Sequence, residues 1–259
     1  MDKPKKGICI DPPYYINPKP KISVCLSTSL LAHYNLTCYT VVVIDVLRAS
    51  SSLITGLAAG VNKFVVTDTP EECIALKSKG FVAAGERNGK PIEGCDLGNT
   101  PTGFKRYRWL HDSKVALTTS NGTKAILLSK DKEAHQVLIG GFLNIDTLAN
   151  YLNTKRNGLV IACAGWGGKI SSEDTLCAGR LISALLPIYR IHEDEALCAL
   201  NLYNANKNNL PRFLKSCAHI KRLRRLKQTD DIRLCLRESI YEIIPVYQDG
   251  YIVPLDIGD

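Results

Sequence analysis

Continuous runs of Val, Ile, Leu and Ala punctuate the first two thirds of the chain, several of them running into small polar residues. Runs of this kind, without strict two-residue alternation, read as strands buried on both faces. They are KISVCL from Lys21, VVVID from Val41, KFVVT from Lys63, FVAAG from Phe81, KVALTT from Lys114, HQVLIG from His135 and GLVIACAG from Gly158. Helical patterns fill the gaps. In TPEECIALKSKG, Thr69 caps, Pro70 takes the first turn and Gly80 stops the helix. Strands alternating with helices predict an α/β fold of three layers, helices on both faces of a mostly parallel or mixed sheet. From Ser172 to Ser239 the pattern is mostly helical. The chain then closes with IIPVYQDGYIVPL, where Asp249-Gly250 between two apolar runs predicts a β-hairpin.

The chain also resembles itself. VVVIDVLRASSSL from Val41 aligns with VALTTSNGTKAIL from Val115, setting Thr119 opposite Asp45 and Gly122 opposite Arg48. Further on, Ile92 meets Ile170 and Asp96 meets Asp174. Two related halves, about 41–99 and 115–180, are expected within one domain over 21–259, with the ligand site where strand-end loops converge. Residues 1–20 carry five prolines and no hydrophobic period, which predicts an extended arm.

Composition narrows the class. The 259 residues suffice for a large core, and the formal net charge of +8 favours anionic ligands, from phosphorylated metabolites to nucleic acid. No apolar run approaches the roughly 20 residues of a membrane span, and the N-terminus has no signal core, so a cytoplasmic protein without a membrane partner is expected. The ten cysteines are scattered, without a Cys-x-x-Cys pair, and read as reduced structural thiols.

Candidate chemistry gathers past the buried strands. In DVLRASSS and TTSNGT a strand runs into hydroxyl residues and then a helix. Backbone N–H groups there, with the hydroxyls of Ser50 and Thr123, can cradle an anion, and Arg48 offers a planar fork for a phosphate or sulfonate. Capping by Ser50 and Thr123 and an Asp45–Arg48 ion pair are the structural alternative. The carboxylates Asp45, Glu86, Glu93, Asp96, Glu173 and Asp174 lie at or just past strand ends, and carboxylates beside phosphate-binding groups point to Mg²⁺.

Other chemistries fit less well. CAGWGGK holds Cys163 in a glycine-rich loop, but Lys169 stands where a cysteine-dependent phosphatase has its Arg. An aspartyl-phosphate mechanism needs a second Asp two residues after Asp45, where Leu47 stands. RFLKSCAHIKRLRRLKQ, 212–228, is basic, but its apolar residues fall at helical spacing and no aromatic interleaves with its charges; a solvated amphipathic helix explains it, and no nucleic-acid partner is expected.

VVVIDVLRASSSLITGLAAG, AGERNGKPIEGCDLGNTP, LTTSNGTKA and CAGWGGKISSEDTLCAG, in this order, resemble the 2-phosphosulfolactate phosphatase family of coenzyme M biosynthesis. SCAHIKRLRRL, DDIRLCL and IIPVYQDGYIVPL resemble its C-terminal pattern, so the likeness runs from about Lys21 to the end. The family usually has threonines where Ser50, Ser51 and Ser52 stand, and commonly Ser where Thr100 stands; both changes keep the hydroxyl. The resemblance implies a Mg²⁺-dependent hydrolase converting 2-phospho-3-sulfolactate to 3-sulfolactate and phosphate, and a homodimer by analogy. From the chemistry of the residues themselves, Asp45, Arg48 and Glu86 are the catalytic candidates. Asp45, Glu86, Glu93, Asp96 and Asp174 are the candidate metal ligands. Arg48, Ser50, Asn121, Gly122 and Thr123 hold the phosphoryl group, and Arg87, Asn99 and Lys169 the substrate's carboxylate and sulfonate. The rival readings are a non-catalytic binder of an anionic phosphorylated metabolite and a nucleic-acid-binding protein.

Overall fold

Val41 to Ile44 set the architecture. They lie in strand β2 (Thr40–Ile44), whose five residues are all buried. Val42 and Ile44 enter one apolar core and Val41 and Val43 another, as side chains alternating across a two-faced strand must. Each fully buried aliphatic contributes about 1.5–3 kcal/mol, so the run commits the strand to the middle of the sheet. It is flanked on both sides, in parallel, by β7 (Gln136–Gly140) and β8 (Leu159–Cys163).

The computed structural model describes residues 19–257; all but the last two residues of the expected N-terminal arm lie outside them. The other strands are β1 (Lys21–Cys25), β3 (Lys63–Thr67), β4 (Phe81–Arg87), β5 (Lys90–Pro91), β6 (Lys114–Thr118), β9 (Arg190–Ile191), β10 (Pro245–Gln248) and β11 (Tyr251–Pro254). Together with β2, β7 and β8 they form one mixed sheet ordered β5-β4-β6-β3-β11-β10-β7-β2-β8-β1-β9. Exchanging β2, β3 and β4 with β6, β7 and β8 leaves the order β4-β6-β3 … β7-β2-β8 unchanged apart from direction of reading. β10 runs antiparallel to β7, β11 to β10 and β3 to β11. The two parallel blocks therefore run in opposite senses, joined by the C-terminal hairpin. Asp249 (φ 50°) and Gly250 (φ 86°) both take the positive φ that a two-residue primed turn requires, which is why this dipeptide was readable.

Helices cover both faces. Leu53, Ile54 and Leu57 of α1 (Ala49–Ala58) lie in one core, and α2 (Pro70–Ala75) follows behind a Thr69–Glu72 capping box. α3 (Pro101–Arg106) and α4 (Gly122–Asp131) add Phe104, Ala125 and Ile126 to the same core. The opposite core takes Leu148 and Leu152 of α5 (Ile145–Asn153) and Leu181 and Leu185 of α6 (Ser172–Leu185). Beyond them come α7 (Asp194–Asn206), α8 (Leu210–Leu214), α9 (Ala218–Arg225) and α10 (Thr229–Cys235). The basic segment is thus not one helix: the chain breaks between α8 and α9, and α9 buries Ile220 and Leu223. No helix among the described residues is long and apolar enough to cross a membrane. Among the described residues eight cysteines are free, as expected, but Cys38, half-buried at positive φ in the loop before β2, is disulfide-bonded, which corrects the all-reduced reading.

Candidate active site

The turns after β2 and β6 are built alike. Asp45 N–H donates to Ser50 Oγ at 2.8 Å, and Thr119 N–H donates to Thr123 Oγ1 at 3.2 Å. Each hydroxyl sits in the first turn of a ten-residue helix and ties it back to the end of its strand. The span is five residues in the first turn and four in the second. The extra residue shifts the correspondence: the N-cap Arg48 matches the N-cap Asn121, not Gly122 as the sequence alignment set it. The two helix starts meet. A Cβ on Gly122 would stand 2.5 Å from Ala49 Cβ and 2.6 Å from Asp45 Oδ2, so only glycine permits the approach.

Around this meeting point lies a small, partly open space of about 20 Å³ lined by Asp45, Leu47 and Arg48 after β2, Glu86 and Gly89 at the β4–β5 turn, Asn99 before α3, Ser120 and Asn121 after β6, Trp166 after β8, and His219, Arg222 and Leu223 of α9. Arg48 does not pair with Asp45. Its Nη1 donates to Asp231 Oδ2 of α10 at 2.8 Å, with both side chains 4% exposed. The other Asp231 oxygen accepts from Thr100 Oγ1 (2.9 Å), Thr102 Oγ1 (2.6 Å) and Thr102 N–H (3.1 Å). A guanidinium carries five N–H donors. Anchored through Nη1, with Nη2 reaching Gly89 O at 3.4 Å, it keeps the rest for a ligand.

Asp45 is 8% exposed. Burial pushes its carboxyl up to about 6; the His219 charge opposes the rise and Glu86 adds to it. Glu86 closes the turn by accepting from Gly89 N–H at 2.6 Å and Ser120 N–H at 2.8 Å. Asn99, 2% exposed, presents an Oδ1 that has no hydrogen-bond partner within the protein. A buried acceptor left alone costs about 1–3 kcal/mol, so this one calls for a donor or a cation. Asp174 supports the site from behind: Oδ1 accepts from Val46 N–H (2.9 Å) and Oδ2 from Gly165 N–H (3.1 Å), bracing the loops after β2 and β8. Burial, then the nearby Asp45 and Glu173, push its carboxyl well above the usual range.

The α9 wall is a stack. The rings of Trp166 and His219 lie 6.3 Å apart at 21°, and Arg222 Cζ sits 4.9 Å from the Trp166 centroid. His219 Nδ1 lies 2.7 Å from Oε1 of Glu173, a side chain 1% exposed. Burial works to raise the Glu173 carboxyl, but the His219 hydrogen bond and charge outweigh it and hold it below its ordinary range.

Of the residues read from the sequence, Asp45, Arg48, Glu86, Asn99 and Asn121 are brought together. Gly122 adjoins them. Ser50 and Thr123 are buried, and their hydroxyls serve the strand-to-helix turns rather than the cavity. Arg87 turns outward, donating to Glu86 O, Asp68 O and Thr118 Oγ1. Lys169 and Glu93 are exposed, and Lys77 holds Asp96 at 2.6 Å away from the cavity. No cluster of three or more His, Cys, Asp and Glu side chains poised for a metal occurs among the described residues. Cys163, whose thiol burial pushes well up, lies in the core. His219, Arg222 and Asp231 were not singled out as site residues from sequence; their only signal is that they lie in SCAHIKRLRRL and DDIRLCL, the segments that resemble the family's C-terminal pattern.

A model of the 2-phosphosulpholactate phosphatase family matches residues 25–250. The chain belongs to this family. Relatives described as "Probable 2-phosphosulfolactate phosphatase" include one from Clostridium kluyveri, 34% identical over 236 residues, covering 90% of this chain and 97% of that protein. Another, from Caldanaerobacter subterraneus subsp. tengcongensis, is 35% identical over 217 residues, covering 82% and 89% respectively. A third, from Thermotoga maritima, is 32% identical over 216 residues, covering 83% and 92%.

Proposed function

We propose that the protein hydrolyses the phosphomonoester of a small sulfonated hydroxy acid, 2-phospho-3-sulfolactate, to 3-sulfolactate and inorganic phosphate. The observation that carries this reading is the convergence of two helix N-termini, the anchored Arg48 and the buried Asp45 on one cavity in a member of this family. Helix starts and a guanidinium stabilise the charge on a transferring phosphoryl group. Arg48 binds two of its oxygens through the donors that Asp231 leaves free, while the amides at Asn121 and Gly122 face a third. Asp45 orients the attacking water and takes its proton. Arg222 and Arg48 supply positive charge for the remaining anionic groups of the substrate.

The donor set also suits Mg²⁺, which takes oxygen ligands from one or two carboxylates and the substrate and keeps several waters. Glu86 and the unpartnered Asn99 Oδ1 would hold it; bound there, it would neutralise charge on the phosphate. The space of about 20 Å³ admits one or two waters, so binding the substrate needs a wider opening of this cavity. Phosphate release from 2-phospho-3-sulfolactate, assayed with Mg²⁺ and then with EDTA, tests the reading. Release that EDTA abolishes and Mg²⁺ restores is expected; full release in EDTA removes the metal, and binding without release makes the protein a binder.

A further inference from the structure

We infer that His219 is the general acid of this phosphatase, positioned by Glu173; this rests on the phosphatase reading of the same cavity. His219 lines the cavity with Asp45 and Arg48, although it comes from α9, whose charge pattern predicts a solvated face. Glu173 is buried, and at 2.7 Å its Oε1 accepts the Nδ1 hydrogen. That fixes the tautomer and turns Nε2 into the exchangeable position. Nδ1 makes the one ring hydrogen bond found for His219 among the described residues. Trp166 stacked on one side of the ring, itself capped by Arg222, limits its rotation. A carboxylate behind an imidazole that faces a cavity is the arrangement by which a base or acid is held in one orientation.

The leaving group defines the need. The alkoxide of a hydroxy acid is a poor leaving group unless it is protonated as it departs. In the step, the bond between phosphorus and the bridging oxygen breaks, and its electron pair stays on that oxygen, which takes the proton from His219 Nε2. The water oxygen forms the new bond to phosphorus, and one of its protons passes to Asp45. The products are the hydroxy acid and inorganic phosphate. Asp45 then loses a proton to solvent and His219 gains one, which restores the enzyme without oxidation or reduction.

His219→Gln in the full-length protein with Mg²⁺ tests this, read on 2-phospho-3-sulfolactate itself. The expected result is a fall in kcat of about 10²–10⁴-fold, the usual span of general acid–base assistance, with KM within a few-fold. The bridging-oxygen ¹⁸O isotope effect should rise, because negative charge on the departing oxygen is no longer compensated by a proton. Glu173→Gln should lower kcat less and raise the isotope effect in the same direction. A kcat for His219→Gln within threefold of wild type, or a fall with an unchanged isotope effect in both variants, overturns the proposal. Failure of the wild-type protein to release phosphate instead overturns the phosphatase reading on which it rests.

Discussion

At Asp45, burial and charge pull in opposite directions. The folded protein holds this carboxyl near 6 against about 3.9 for a free side chain, so the folded state binds more protons than the unfolded state between those values. Stability contributed here therefore falls as pH rises from about 4 to 6 and stays reduced above. Asp45→Asn removes that penalty, and thermal unfolding at pH 7.5 should show an equal or higher Tm while turnover is lost. A lower Tm would make Asp45 a structural anchor. The same titration gives kcat/KM an acidic limb near 6, rising with pH as Asp45 becomes the base; a flat profile from pH 5 to 7 would contradict that role. Asp231 behaves oppositely. Asp231→Ala strands a buried guanidinium and should cost about 3–5 kcal/mol in urea unfolding, with a raised KM; an unchanged midpoint would show that Arg48 finds another partner. Asp45 and Arg48 were legible because an acid and a base stand where an apolar run ends. His219 and Asp231 were not, because the partners that give them meaning lie 46 and 183 residues away in the chain.

Among the elements, the helix starts carry most of the site. Strands β1 to β4 and β6 to β8 and the capped α2 were readable because buried runs, a Thr-Pro cap and a glycine stop act locally. The two-residue strands β5 and β9 leave no such pattern. The acids at Glu93 and Asp96 were misleading for a related reason: the segment after β5 folds back along β4, where Asp96 accepts from Ala83 N–H at 2.9 Å, so a position just past a strand end does not guarantee the site. Gly122 is the sharpest test at this scale. Gly122→Ala would push α4 away from Asp45 and Ala49, and kcat should drop at least tenfold with helical circular dichroism unchanged. Retained activity would show that the two helix starts need not touch.

Across the molecule, the two blocks share a strand pattern and meet through the C-terminal hairpin. The hairpin was legible from Asp249-Gly250, but its place between β3 and β7 was not, since nothing in a strand's own residues names its neighbours. Removing residues 245–259 opens the middle of the sheet, and the truncated chain should lose cooperative unfolding and ligand-independent solubility; a sharp, wild-type-like transition would show that each block stands without the bridge. Loops after the strands that the sheet order exchanges, β2 and β6, and β4 and β8, all line one cavity. Within this strand order, the turn after β2 carries Asp45 and Arg48 where the turn after β6 has Thr119 and Asn121, which sets the groups proposed for catalysis beside the amides proposed to face the phosphate.

The most direct test pairs turnover with binding in Asp45→Asn. With Mg²⁺ and 2-phospho-3-sulfolactate, the wild type should release phosphate, and the variant should bind the substrate in calorimetry with similar affinity while kcat falls by about 10³-fold or more. Near-normal phosphate release by the variant would contradict the account.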